Sequence, residues 1–572
     1  MPTTSANFEN NEKLYRAYPH YCISNSGGQR FLNTRNKRFN GGIPLLYDIS
    51  SKRVVVDADD THSLVFGATG SLKSRTVVMP TVKILGHAGE SMIISDPKGE
   101  IYAKLAGELK QQGYNIVVVN LRNPAVGNAW NPLYLPYKFF IEGNIDKATE
   151  FVNDIANNLM LSETSTSDPF WDFCASDLCF GLILLLFKYC KDHNVSQEAV
   201  NIGNLLAIKR VLYANKIKAK DSILWKYAEE DELIAASLSG SIFAPNDTMG
   251  SMLSVFDQKI RAFIIQPTLL DMLANNDFDI GDIGKRKTTV FLITPDEKTS
   301  YHRLVSLFVK QSYEFIIYTT TQDKTGRVQN RLNYILDEFS SFPAVTDMST
   351  IISAARSRDI RFLLVVQSKH QLIKRYQEEA ETIISNCTNW IYLTSREISL
   401  LRELSELCGE SKNGARNITV YDLQHFSKEK KEALVLCGRY KPAKVHLLDI
   451  DDYGEKNIAP LEFVKKTRHI RQKLDFTLSE SIKKRLIPEI PKLSNTLTPS
   501  LSGESNVITK NEIDNLLSRI DSKIAERETE EKKKEEYKYA KLLERIEERA
   551  LKLEEEERAN KKQTKDEIPN EQ

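Results

Sequence analysis

What this 572-residue chain lacks narrows it first. Its seven cysteines (Cys22, Cys174, Cys179, Cys190, Cys387, Cys408 and Cys437) are odd in number and scattered, with no C-x-x-C pair among them. Thiols so placed suit neither a disulfide framework nor a zinc site, and read as reduced cysteines of a cytosol. Charge of one sign is not in excess: 78 Lys and Arg stand against 77 Asp and Glu, a net of +1. That excludes a globally polycationic nucleic-acid binder, so any DNA contact must be local. Long apolar runs are missing too, since the longest, Cys179 to Phe187, falls far short of the ~20 residues that span a bilayer. The opening MPTTSANFENNEK carries none of the charged and apolar segments of a signal peptide.

What is present begins with LVFGATGSLKS, Leu64 to Ser74. An apolar strand runs into a glycine turn that ends in Lys73 and Ser74, close to the phosphate-loop pattern G-x-x-x-x-G-K-[ST]. In that pattern the loop amides wrap phosphates, the lysine reaches the β/γ oxygens and the hydroxyl holds Mg²⁺. Gly67, Gly70, Lys73 and Ser74 fit, with Ala68, Thr69 and Ser71 as intervening loop residues, but Leu72 stands where the pattern wants glycine. The same residues also fit a plain strand, turn and helix with an incidental lysine. The strand before and the helix after favour phosphate binding. A second half of such a site follows in LNYILDEF, where an apolar run ends in Asp337 and Glu338. Carboxylates at a strand's end face a ligand crevice. The first acid would hold Mg²⁺ and the second would polarise an attacking water. Taken alone such a pair is more often a strand end meeting solvent. Paired with the upstream loop it becomes a Walker A and Walker B set.

From Ser51 strands alternate with helical stretches: VVV at 54–56, LVFG at 64–67, SMIISD at 91–96 and YNIVVVN at 114–120. That alternation predicts a mostly parallel α/β sheet. Between about 142 and 283 the pattern turns helical, with amphipathic stretches at Ala148 to Leu161, Trp171 to Tyr189 and Leu269 to Leu273. Strand signals resume at TTVFLIT (288–294), then at Walker B, IRFLLVVQ (360–367), WIYLTS (390–395) and EALVLC (432–437). The expected organisation is an irregular lead-in over 1–50, an α/β domain over 51–141 and 284–450 interrupted by an all-α insertion over 142–283, a linker over 451–508 and a tail over 509–572. The basic cluster Arg30, Arg35, Lys37 and Arg38 in the lead-in reads as solvated surface. Residues 486–508 are Pro- and Ser-rich. The tail is dominated by Glu, Lys and Arg, with apolar Ile513, Leu516, Leu517, Ile520 and Ile524, then almost none until Tyr537. That gap breaks a coiled-coil seam and leaves a charged helix or a partly disordered tail.

SDPKGEIYAKLAGELKQQGYNIVVVNLRNPAVGNAWNPL (95–133), DPFWDFCASDL (168–178), LNYILDEFSSFP (332–343), ISAARSRDIRFLLVVQSKHQL (352–372) and NCTNWIYLTSRE (386–397) together carry a family resemblance. With the Walker A region they resemble the TraG/TraD-type coupling proteins of conjugation and type IV secretion, over roughly residues 25–450. That family is similar to the FtsK and HerA motors: RecA-like ATPases, usually hexameric, with an all-α domain as an insertion. The resemblance implies ATP and Mg²⁺ as cofactors. It implies DNA, single- or double-stranded, relaxase or relaxosome proteins and type IV secretion channel membrane proteins as partners. Residue by residue it places Lys73 on the β/γ phosphates, Ser74 and Asp337 at Mg²⁺ and Glu338 as base. Gln367 becomes the γ-phosphate sensor and Arg356 the arginine finger, with Arg358 as its alternative. Read from the residues alone, Arg356, Arg358 and Arg361 fit a solvated helix face. Asp96 and Lys98, in the block Asp96-Pro97-Lys98-Gly99-Glu100, face the nucleotide in this reading, and a purely structural turn is the alternative.

Two departures from the family matter. Leucine at 72 should push the loop outward or hold an unusual dihedral at a cost of about 1 to 3 kcal/mol. Members usually carry N-terminal membrane helices, whereas this chain resembles the soluble minority, expected in the cytoplasm and held at the inner face of the bacterial membrane by partners. The resemblance implies an ATP-driven coupling protein that brings DNA–relaxase substrates to a secretion channel. A weakly hydrolysing or non-hydrolysing receptor of the same system is the alternative. Chromosome partitioning of the FtsK type would need a membrane domain and a C-terminal winged helix, and the charged tail offers neither.

Overall fold

A computed structural model describes residues 11–486, apart from 24–29, 35–37, 162–167, 215, 296–300, 323–324, 412–413, 455–457 and 467. The chain divides into Met1–Pro488 and Glu489–Gln572, so the reading of the tail lies outside the described residues, as do Arg35 and Lys37.

Nine strands form the main sheet in the order β13-β12-β11-β5-β10-β9-β6-β8-β7. They are β5 (Ser63–Gly67), β6 (Ser91–Ser95), β7 (Asn115–Asn120), β8 (Thr288–Ile293), β9 (Leu332–Leu336), β10 (Ile360–Val366), β11 (Asn389–Thr394), β12 (Glu432–Cys437) and β13 (Ala443–His446). From β11 across to β7 every pairing is parallel, and only β12 and β13 run antiparallel, at one edge. Strands such as SLVFG are apolar at nearly every position because both faces of the sheet are covered. Leu64 and Phe66 point into one core with the large helical layer, while Val65 points into another against the helices Met79–Ala88 and Glu100–Gln111. The fold is therefore the α/β, RecA-like arrangement that the alternating pattern and the family blocks predict.

One expected strand goes elsewhere. VVV at 54–56 lies in β4 (Arg53–Asp57), which pairs antiparallel with β1 (His20–Cys22) and β3 (Ile43–Asp48) in a separate sheet of order β2-β1-β4-β3. β2 is Phe31–Leu32. The lead-in is thus not irregular throughout: Tyr21, Phe31, Val54, Val56, Ile84, Leu448 and Tyr453 form a small core of their own.

Between β7 and β8 the named elements are all helical. Their centre is Pro169–Asp192, which packs against Ile145–Met160, Glu232–Ile242 and Asn246–Ile264. This 24-residue helix is long and apolar enough to cross a bilayer, which corrects the expectation that no such segment exists. Its apolar stretch is 67% buried among the neighbouring helices, as in the core helix of a soluble protein.

The described residues of 458–486, expected within a linker, form an ordered strap instead. Phe463 stacks on Tyr102 with ring centroids 4.6 Å apart, and the Val464 carbonyl accepts from Gly127 N at 3.0 Å. Further along, Phe476 and Leu478 are buried in the helical layer and the Thr477 carbonyl accepts from Tyr189 Oη at 2.9 Å. Gly107 permits the crossing, because a Cβ there would lie 2.5 Å from the Ala459 carbonyl oxygen. Ahead of the helix Glu480–Leu486 no strand or helix is formed among the strap's described residues, so its anchoring apolar residues look isolated in the sequence.

Candidate functional site

The register of the parallel strands brings the predicted motifs to one edge. Phe66 pairs with Val366, Leu336 with Leu364 and Ser95 with Leu336, so Gly67, Asp337, Gln367 and Asp96 all leave the sheet at its carboxyl side. In an open α/β sheet that is where ligands bind.

The loop after β5 turns at Gly70, with φ 78°, and at Leu72, with φ 68°. Leucine takes the second of its two options: it stays in the loop in the left-handed conformation a glycine would adopt without strain. What holds it there is its own carbonyl, which accepts from Arg75 N (3.0 Å), Thr76 N (2.9 Å) and Thr76 Oγ1 (3.0 Å) at the first turn of the following helix. That turn, Ser74–Val78, is wound as a π-helix before Met79–Ala88 continues as α. A side chain at Gly67 would run into Ser71 Oγ and Lys73 Cγ, so the loop closes tightly over its strand. Ser71 Oγ is buried with no hydrogen-bond partner among the described residues. Thr394, at the end of β11, pins the loop's start by accepting from Ala68 N at 2.8 Å.

Lys73 is 6% exposed and donates from Nζ to the Gly67 carbonyl at 2.5 Å and to that of Ala68 at 3.4 Å. Burial lowers its pKa, an effect that Glu338 and Asp337 oppose and Lys98 reinforces. Ser74 Oγ donates to Asp337 Oδ2 at 2.7 Å, joining residues 263 apart in the chain. Asp337 is 6% exposed and burial raises its carboxyl, partly countered by the Ser74 hydroxyl. Its backbone oxygen is held by Ser95 Oγ at 2.8 Å.

Glu338, at φ 57°, accepts on Oε2 from Gln367 Nε2 at 2.7 Å. Thr69 Oγ1 in turn lies 3.5 Å from Gln367 Oε1. Loop, sensor position and acid are therefore one connected line. A non-glycine residue held at positive φ beside such a line is strain of the kind that collects at working sites.

Asp96 takes up the turn-like role. It caps the helix Glu100–Gln111, accepting from Tyr102 N at 2.8 Å across a turn closed by Gly99 at φ 73°. Burial pushes its carboxyl up to about 6, with Asp337 adding to the rise. Because the folded value lies above the ordinary 3.8 of an aspartate, its contribution to stability is complete below about pH 4 and is lost as pH rises through 6. Asp96→Asn keeps the acceptor without the charge. It should raise stability at pH 8 by roughly 2 kcal/mol, an advantage that shrinks below pH 5 in denaturant titrations. A variant less stable than the natural chain at pH 8 would contradict this. Lys98 is exposed on the same turn.

The arginines separate. Arg356 and Arg358 sit on the 3-10 turn Arg356–Arg358 that enters β10, at the sheet edge opposite the loop. Arg361 is on β10 itself and 6% exposed, bonded to Glu90 Oε2 (2.9 Å) and Asn333 Oδ1 (2.8 Å), so it belongs to no solvated helix face. The sequence reading also missed Arg75, next to Ser74, which pairs with Asp449 and Asp451, each at 2.6 Å. Nothing local signals that bond, since its partners lie 374 and 376 residues away.

Chemically, the site offers a tightly turned loop, a buried cation and a hydroxyl–carboxylate pair. That pair suits a hard divalent ion that keeps most of its water. No cluster of three or more His, Cys, Asp or Glu that could cage a metal occurs among the described residues.

Fold and edge together define a RecA-like α/β protein of the phosphate-loop class. The profile of the family described as "Type IV secretory system Conjugative DNA transfer" matches residues 30–435, and the chain belongs to that family. Among solved structures it is similar to the bacterial conjugative coupling protein TrwBdeltaN70, unbound form, at 18% identity and TM-score 0.50, covering 77% of this chain and 98% of that one. It also matches plasmid coupling protein TrwB in complex with the ATP analogue ADPNP, at 17% identity and TM-score 0.48, covering 77% and 99%. VirB4 of Thermoanaerobacter pseudethanolicus follows at 13% and 0.42, covering 71% and 96%. No curated protein sequence matches the chain.

The geometry sharpens the expectation for Leu72. Its strain is present in the loop as folded, so part of the cost falls on folding and only part on ligand affinity. Leu72→Gly should therefore tighten Mg·ATP binding about fivefold, the low end of a 1 to 3 kcal/mol penalty. Titration calorimetry reads this directly, and a variant that binds no better would show a loop adapted to leucine.

Proposed function

We propose that this chain is a nucleotide-driven coupling protein that moves DNA, with its relaxase, toward a type IV secretion channel. The observation that carries the reading is the 2.7 Å contact between Ser74 and Asp337, beside the buried Lys73. It joins two sequence motifs into the two halves of one phosphate and cation site. Mg·ATP supplies the energy-releasing phosphoryl transfer when bound. Lys73 would leave the Gly67 carbonyl for phosphate oxygens, loop amides not already bonded within the fold would face them, and Ser74 with Asp337 would hold Mg²⁺. Glu338 takes the proton of the attacking water, and Gln367, bonded to Glu338, reports occupancy of the terminal phosphate position.

TrwB, whose structure with ADP and Mg²⁺ is known, supports nucleotide and magnesium binding by analogy. Arg356 acts across a subunit boundary in a homohexamer, and the chain works in the cytoplasm at the inner face of the membrane, held there by channel proteins. Turnover of ATP, measured with and without single- and double-stranded DNA, tests the proposal. Weak basal turnover should rise at least tenfold on DNA. Absence of turnover with nucleotide still bound would favour the second reading, a substrate receptor, to which Leu72 is the pointer.

A further inference from the structure

Arg75 follows Ser74 directly, in the first turn of the helix that the phosphate loop enters, and residues far along the chain hold its side chain. Nε donates to Asp449 Oδ2 at 2.9 Å, and Nη2 donates to Asp449 Oδ1 and to Asp451 Oδ2, each at 2.6 Å. Asp449 is buried, and its Oδ1 also accepts from Asp451 N at 3.0 Å. Lys104 Nζ holds the remaining oxygen, Asp451 Oδ1, at 2.5 Å. Both acids belong to the turn Ile450–Tyr453 and its cap, and Ile450 and Tyr453 are buried, so the two carboxylates stand on a fixed support.

The clasp answers a local weakness. Ser74–Val78 is wound as a π-helix, with Met79 N donating to the Ser74 carbonyl. Such turns are rare, and those that occur are often found at functional sites. A cation in a helix's first turn also opposes the helix dipole, and the ammonium of Lys73 is already buried close by. Two carboxylates turn that liability into a fixed point. The Arg75 amide donates to the Leu72 carbonyl at 3.0 Å while its guanidinium is gripped by the acids, so residue 75 is held at both ends. Ser74 lies between it and Lys73, with its Oγ 2.7 Å from Asp337 Oδ2.

We infer that Arg75, gripped by Asp449 and Asp451, is a positioning residue that sets the Ser74 hydroxyl at the divalent-cation position of the phosphate site. Without the clasp the turn is free to rewind from i→i+5 to i→i+4 bonding, which swings Ser74 about the helix axis and away from Asp337. Lys73 keeps its place, because its own hold is the Gly67 carbonyl upstream of the turn. The effect therefore falls on the cation and not on the phosphates. The inference rests on the nucleotide reading above and refines it at Ser74.

Binding of ADPNP to the full chain, measured by titration calorimetry in excess Mg²⁺ and in EDTA, gives the factor by which the cation tightens the nucleotide. Arg75→Gln and Asp449→Asn should each cut that factor at least fivefold, and the two together no further than either alone, because both break one contact. Affinity in EDTA should stay within twofold. Lys104→Gln, which leaves both bonds to Asp449, should keep the factor within twofold. Arg75→Lys keeps the charge without the fork and should lose about threefold, which serves as the milder variant if Arg75→Gln does not fold. A factor unchanged in Arg75→Lys and Asp449→Asn, additive losses in the double variant, or an equal loss of affinity in EDTA overturns the inference and leaves the nucleotide site standing. A natural chain that binds ADPNP no tighter with Mg²⁺ removes Ser74 from the cation, and one that binds no ADPNP overturns the nucleotide reading. Either result takes this inference with it.

Discussion

Arg356→Ala should lower DNA-stimulated ATP turnover by about 10³-fold or more while leaving nucleotide binding by the dilute chain intact. Arginine fingers contribute roughly 10³ to 10⁵ in rate because they meet charge that develops only in the transition state. Arg356 can do this only in trans. It sits on the turn before β10, a full strand length from Gln367 at the other end, and it makes no ion pair with any described residue. Turnover per chain should accordingly rise steeply with protein concentration. A loss below tenfold in Arg356→Ala, beside a far larger one in Arg358→Ala, would move the finger by two residues. If neither substitution mattered, the assembled ring would not be the active form.

Lys73→Ala should abolish Mg·ATP binding, whereas Glu338→Gln should bind normally and turn over at least a hundredfold more slowly. The two roles separate because the two side chains meet different groups. Lys73 is buried under the loop with its ammonium on the Gly67 carbonyl, so its removal takes away the only cation enclosed by that turn among the described residues. Glu338 lies outside the loop, bonded to Gln367 at 2.7 Å, and glutamine can keep that geometry without accepting a proton. Equal loss of binding in both variants would remove Glu338 from the role of base.

The motifs of this site were legible because each is contiguous. LVFGATGSLKS and LNYILDEF carry a strand, its end and its chemistry within a dozen residues, and a parallel sheet sends both ends to one edge. Leu72 was legible as a departure, and its positive φ follows from the geometry the pattern demands. What could not be read were choices set by distant partners. VVV at 54–56 has the composition of a parallel core strand, yet pairs antiparallel with β1 and β3, since a β-branched run does not specify its neighbours. Arg361 reads like its neighbours Arg356 and Arg358 until Glu90, 271 residues earlier, is seen to bury it. The helix Pro169–Asp192 looked too briefly apolar to cross a membrane, because polar residues interrupt a run that its neighbours bury on most sides.

In the proposed ring each working site is shared: the phosphate loop and Glu338 come from one copy, the arginine from the next. Mixing Lys73→Ala chains with Arg356→Ala chains tests it most directly, since each is inactive alone and each carries the half the other lacks. In random rings at equal amounts, about a quarter of the boundaries join an intact loop to an intact arginine face. The account predicts that the mixture regains turnover on the order of a tenth of the natural chain's, with a maximum near equal proportions. A mixture that stays inactive at every ratio, while both variants assemble, would contradict it.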